Sequence, residues 1–111
     1  MEGISREDLE KLGAGCQRRA ALALKEGRFA KSTITVKDDD GNVILNHEEY
    51  PRPDTTLEGL AQIKPAFEMF YNMPSAPGGK TFVELINQVY PDVEIKPIHH
   101  VGISSGVVDG A

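Results

Sequence analysis

Pro51-Arg52-Pro53-Asp54-Thr55-Thr56-Leu57-Glu58-Gly59-Leu60-Ala61-Gln62-Ile63-Lys64-Pro65-Ala66-Phe67 is the stretch on which the fold turns. Pro51, Pro53 and Pro65 bracket it, and an interior proline both removes a helix hydrogen bond and clashes with the preceding turn, so any helix between them is short. Asp54 or Thr55 can cap that helix, and Leu57, Leu60, Ala61 and Ile63 supply its apolar residues.

Towards the N-terminus, Ser5 followed by Asp8 has the cap-plus-acid arrangement of a helix start. Leu9, Leu12, Cys16, Ala20 and Ala23 then recur at spacings of three and four, which predicts a helix over about 6 to 26 with Gly27 as its stop. Gly13 and Gly15 inside it each cost on the order of 1 kcal/mol relative to alanine, so the helix needs packing from elsewhere. Between the two helices, Thr33-Ile34-Thr35-Val36 and Val43-Ile44-Leu45 are rich in β-branched residues, and Asp38-Asp39-Asp40-Gly41-Asn42 between them is turn chemistry. That is a hairpin. Its acidic tip is not an EF-hand, because the closing position holds His47 rather than glutamate.

After Phe67 the character changes. Residues 68–80 mix Met69, Phe70, Tyr71 and Met73 with Pro74, Pro77, Gly78 and Gly79, an irregular loop presenting apolar side chains. Phe82, Leu85, Ile86 and Val89 predict a third helix over about 81 to 89, stopped by Pro91. Val93 to Val101 reads as extended, with Pro97 imposing an edge position or an irregularity. His99 and His100 are adjacent, and adjacent strand residues point to opposite faces, so the pair does not chelate one metal. One of them is expected to line a cavity and the other to pack or to face solvent.

The 111 residues fit one domain, which buries a smaller share of its surface than a chain of about 150 residues does. A net charge of −5 and a pI near 5.1 leave no basic field for nucleic acid. One cysteine, Cys16, builds no internal disulfide and agrees with a reducing compartment, so the expected location is cytoplasmic. No apolar run reaches the roughly 18 residues of a membrane span, and the first residues lack a signal-peptide pattern. The sequence enters its first helix at once, and 102–111 has the small residues and hydroxyls of a turn that opens a helix just where the chain stops. Both ends therefore read as cut.

Ile4-Ser5-Arg6-Glu7, Gly27-Arg28-Phe29, Arg52-Pro53-Asp54-Thr55-Thr56-Leu57-Glu58-Gly59-Leu60, Lys64-Pro65-Ala66-Phe67, and Ser105-Gly106 with Asp109-Gly110-Ala111 together resemble the thiolases, in the same order. Each motif alone is weak; the ordered set is specific. The resemblance implies an α+β chain holding part of the thiolase fold. Residues 1–67 correspond to the loop region that covers coenzyme A, 68–98 to an insertion longer than many thiolases carry, and 99–111 to the start of the next core strand and helix. The longer insertion resembles a subgroup acting on larger acyl-CoA substrates.

Thiolases pass an acyl group between a 3-ketoacyl-CoA and coenzyme A through a cysteine thiolate, which attacks and leaves thioesters readily. The resemblance places that cysteine, its histidine base and a second acid/base cysteine outside this chain, so no catalytic residue is assigned here. Cys16 falls at a helix position of the family, not at the nucleophile, and reads as a small buried hydrophobe. What the resemblance carries over is coenzyme A contact: Arg52 at the adenosine-phosphate end, Gly59 where some members touch the nucleotide through serine, Val101 and Val107 as apolar contacts, and Ser105 with Gly106 at the pantetheine arm. Ile103 stands where the family motif has asparagine. Outside the resemblance, Arg52 reads as a surface ion pair with Glu48 or Glu49. The implied partners are acyl-CoA or coenzyme A and the remainder of a thiolase, or a complementary thiolase subunit, within a homo-oligomeric parent. No metal is implied.

Overall fold

The computed structural model describes residues 3–106. Helix α1, Arg6–Lys25, begins as its sequence dictates: the Ser5 hydroxyl accepts from the Asp8 backbone N–H, and the Asp8 carboxylate accepts from the Ser5 N–H at 2.9 Å, a reciprocal capping box. It ends in a Schellman motif. Gly27 takes the left-handed conformation, with φ of 66°, while its N–H donates to Leu24 and that of Arg28 to Ala23.

Hairpin strands β1, Val36–Lys37, and β2, Val43–Leu45, pair antiparallel with Val36 opposite Leu45 and Lys37 opposite Val43, a register that shifts between the two pairs. β1 is shorter than its β-branched run predicts. Thr33 is held elsewhere, its N–H and hydroxyl both donating to the Phe29 carbonyl at 2.9 Å. Asp38 closes the tip by accepting from the Asn42 N–H and side-chain amide at 2.7 and 2.9 Å.

Helix α2, Leu57–Ala61, is capped by Thr56, not by Asp54 or Thr55. Thr55 is already committed, with its N–H and hydroxyl on the Arg52 carbonyl at 3.0 and 2.7 Å, so the chain first makes a turn over 52–55 and the cap falls one residue later. Phe67, at a φ of 66°, leads into a single-turn helix α3, Glu68–Tyr71, inside the stretch expected to be irregular throughout. Helix α4, Phe82–Val89, carries a second capping box, from Thr81 and Glu84.

The strand expected over 93–101 is absent from the described residues. A strand needs a ladder, and here a single tie joins the Ala66 N–H to the His99 carbonyl at 2.7 Å. The described part of 99–111 holds a 3₁₀ turn, Val101–Ile103.

Helix α1 is the organising element, packing against both α2 and the 3₁₀ turn. This answers the question Gly13 raised: a Cβ there would lie 3.0 Å from Ile103 Cγ2 and 3.3 Å from the Gly102 carbonyl, so the missing side chain is what lets the turn sit on the helix. Gly102 is tighter still, a Cβ meeting Leu60 Cδ2 at 2.5 Å. The rest packs little. The hairpin pairs with itself, α3 packs on α4, and Leu60 is the one buried hydrophobic side chain among the described residues. The radius of gyration is 19.9 Å, against about 13 Å for a compact chain of this length. The architecture is α+β: helices with one small sheet.

Candidate functional site

Where α1, α2 and the 3₁₀ turn meet, buried polar groups pack beside Leu60. Arg6 and Glu10 are one helical turn apart, so their side chains share a face, and Arg6 Nε donates to Glu10 Oε1 at 2.5 Å. The Arg6 Nη2 group faces the carbonyls of Leu60, Ala61 and Ile63 at 3.1, 3.2 and 2.6 Å, placing positive charge at the C-terminal end of α2, where the helix dipole favours it. Glu10 is itself 5% exposed and His100 is 0% exposed; His100 Nε2 lies 3.2 Å from Glu10 Oε1.

The Arg6 hydrogen bond holds the Glu10 carboxyl below its ordinary value; burial opposes this, and the His100 contact assists it. Three further carboxyls are lowered by local bonds: Asp8 by Ser5, Asp38 by Asn42 and Glu84 by Thr81. A carboxyl depressed in the folded state contributes stability that is complete above its unfolded pKa and disappears as pH falls through the folded one. The helical signal is therefore expected to hold above about pH 5 and to fall progressively below about pH 4, near the range of unperturbed carboxyls. Circular dichroism from pH 7 to 2 checks this; Glu10→Gln should flatten part of the acid limb, and an unchanged curve would remove Glu10 from the account.

Beside this cluster, an open cleft of about 270 Å³ runs along α1, lined by Leu9, Leu12, Cys16 and Gln17 on the helix and by His99 and Ser105 opposite. His99 thus lines a cleft, while His100 packs rather than facing solvent, the alternative the sequence left open. Cys16 is a correction: it is exposed, not buried, because its helix face forms the cleft wall.

Of the proposed coenzyme A contacts, Ser105 reaches this cleft, its hydroxyl on the Gly106 carbonyl at 3.3 Å. Gly106 abuts Tyr50, whose ring occupies the space a Cβ would need. Arg52 adjoins the cleft wall through its backbone N–H, which donates to Gln17 Oε1 at 2.7 Å. Its guanidinium makes no ion pair with Glu48 or Glu49 among the described residues; Nη1 donates to the Glu49 carbonyl at 3.2 Å. Gly59 lies in α2 with its N–H on Thr56 Oγ1, and Val101 is 77% exposed; neither lines the cleft. Val107 lies outside the described residues. Sequence reasoning missed Arg6, Glu10, Gln17 and Tyr50. The spacing of Arg6 and Glu10 on one helix face was the available signal for the first pair.

Among the described residues no three His, Cys, Asp or Glu side chains are grouped to hold a metal ion, and no described helix is long and apolar enough to cross a membrane.

The family model for the thiolase N-terminal domain matches residues 1–70. The chain belongs to the thiolase family. It is 44% identical over 71 residues to a 3-ketoacyl-CoA thiolase of Hahella chejuensis, covering 61% of this chain and 18% of that protein. It is 41% identical over 70 residues to a 3-ketoacyl-CoA thiolase of Saccharophagus degradans, covering 60% and 18%. A beta-ketoadipyl-CoA thiolase of Pseudomonas aeruginosa is 41% identical over 64 residues, 56% of this chain and 16% of that protein. The chain thus spans under a fifth of the length of these curated relatives. Arg52 and Gly59 fall within the family match; Val101, Ser105, Gly106 and Val107 lie beyond it.

Proposed function

We propose that this chain forms part of the coenzyme A-covering region of an acyl-CoA acyltransferase of thiolase type. The parent reaction moves an acyl group between a 3-ketoacyl-CoA and coenzyme A through a cysteine nucleophile outside this chain. The observation carrying the reading is the family match over residues 1–70, which includes Arg52 and the α1 scaffold. The chemistry of the residues fits the ligand at two ends. A guanidinium is a permanently charged planar donor suited to phosphate, and that of Arg52 has no ion-pair partner among the described residues. Ser105 offers a hydroxyl to the amides of a pantetheine arm. A cleft of about 270 Å³ lies just under the ~300–1,000 Å³ of ordinary ligand sites.

On this reading Arg6, Glu10 and His100 organise the wall, and Cys16 is a wall residue rather than the nucleophile. The parent is proposed to be cytoplasmic and homo-oligomeric, with the insertion over 68–98 adapting it to larger acyl groups. A second reading, an interaction subunit completing a separate partial thiolase, draws support from the exposure of Phe67, Met69, Phe70 and Met73 on one short segment.

The test is a graft. Residues 1–70 of this chain replace the matching stretch of the Hahella chejuensis 3-ketoacyl-CoA thiolase, and thiolysis of acetoacetyl-CoA is assayed for the graft and for the 111-residue chain. The graft is expected to turn over and the chain alone to stay at background, with or without Cys16→Ser. A well-folded graft that binds no coenzyme A sinks the reading; turnover by the chain that vanishes in Cys16→Ser makes Cys16 the nucleophile.

A further inference from the structure

His100 faces a donor on one side and an acceptor on the other, and both are fixed. The Gly102 backbone N–H donates to His100 Nδ1 at 3.2 Å. An amide nitrogen only donates, so Nδ1 carries no proton. The proton of the neutral ring is then on Nε2, which points to Glu10 Oε1 at 3.2 Å. Glu10 is anchored in turn by Arg6, and Arg6 by the last carbonyls of α2. On the other side, the turn closes back on His100: the Ile103 N–H and the Ser104 hydroxyl both donate to its carbonyl, at 3.1 and 2.9 Å.

We propose that His100 is a positioning residue: held through Nε2–H by Glu10, it uses Nδ1 to fix the Gly102–Ser105 turn as one wall of the cleft on α1. Under the thiolase reading above, on which this part rests, the turn presents Ser105 to the pantetheine arm, so α1 governs ligand contact from residues that never touch the ligand. An apolar residue at 100 would bury the Gly102 N–H unpaired and leave Glu10 with Arg6 alone, two costs at one position. Histidine meets both needs because its two ring nitrogens differ in role.

Two amide substitutions separate the two edges of the ring. Asparagine places its carbonyl oxygen near the former Nδ1 and keeps an acceptor for Gly102, while losing the reach to Glu10. Glutamine places its amide nitrogen near the former Nε2 and keeps the donor to Glu10, while losing the acceptor. In the full 111-residue chain, labelled with ¹⁵N, amide exchange at Gly102 is compared with exchange inside α1. His100→Gln should speed Gly102 about five- to tenfold relative to α1, the size of one net hydrogen bond, and His100→Asn should leave it within about twofold of wild type. A merely structural histidine would accelerate Gly102 equally in both variants. A long-range ¹H–¹⁵N spectrum of the wild type should show the Nε2–H tautomer, a readout that needs no variant to fold. Coenzyme A affinity should fall in His100→Gln and return in His100→Asn. Should the wild type bind no coenzyme A, the thiolase reading loses its ligand while the exchange pattern still decides the role of His100. Equal acceleration in both variants, an Nδ1–H tautomer, or an unprotected Gly102 in the wild type overturns the proposal.

Discussion

Leu60→Ala is expected to cost about 2–4 kcal/mol, the range for truncating a buried leucine. Leu60 is 4% exposed, and its Cδ2 lies in the space against which Gly102 packs, so it is the apolar contact between α2 and the 3₁₀ turn. The neighbouring groups are poorly placed to collapse into the gap, because Arg6 is tied to the Leu60 and Ile63 carbonyls and Gly102 to His100. With so little else buried, a loss of this size is a large share of the total stability and should move the urea midpoint far below that of the wild type. Urea unfolding followed by circular dichroism measures this against Ile44→Ala, whose side chain is 65% exposed and whose removal should stay within about 0.5 kcal/mol. Equal midpoints for the two variants would mean that Leu60 is not the core.

The same bareness sets the expected behaviour of the wild type. Large apolar side chains on α1, the hairpin and the segment around Phe70 face outward, and exposed patches of this kind favour association. A broad, weakly cooperative thermal transition follows, and the cluster around Leu60 and His100 should be its most protected part.

Legibility in the sequence tracks the range of the interaction. The Ser5–Asp8 capping box, the glycine stop at Gly27, the apolar spacing over 82–89 and the acidic hairpin tip are set by residues within a few positions of one another, and α1, α4 and the turn lie where those signals put them. At α2 three successive residues could each serve as cap, and the choice of Thr56 follows from Thr55 being occupied by the Arg52 carbonyl. The expected strand over 93–101 failed because β-branched composition supplies propensity but not a partner. Glu10 and His100 were invisible as a pair because 90 residues separate them and nothing in the local sequence of either points to the other. Gly13, by contrast, was a legible anomaly: its cost in a helix demanded a neighbour, and Ile103 is that neighbour.

The proposed coenzyme A contacts rest on family resemblance alone, and Arg52 and Ser105 offer the sharpest way to try them. On the proposed reading, Arg52→Ala removes a charge-assisted contact to phosphate and should weaken coenzyme A binding by about 1.5–3 kcal/mol where that contact is well formed, less where water shares it. Ser105→Ala removes a neutral hydrogen bond and should cost nearer 1 kcal/mol. The two effects differ in kind as well as size. The guanidinium acts partly through charge at a distance, which salt screens, while the serine contact is short-ranged. The titration uses the chain, or a graft carrying residues 1–106, at low and high salt. High salt should shrink the Arg52→Ala loss and leave the Ser105→Ala loss unchanged. Dephosphorylated coenzyme A should bind wild type more weakly and Arg52→Ala no worse than coenzyme A itself, which ties the arginine to the phosphate end of the ligand. Unchanged affinity in both variants at both salts would return Arg52 to a surface residue of the turn over 52–55 and leave Ser105 as a cleft residue with no ligand.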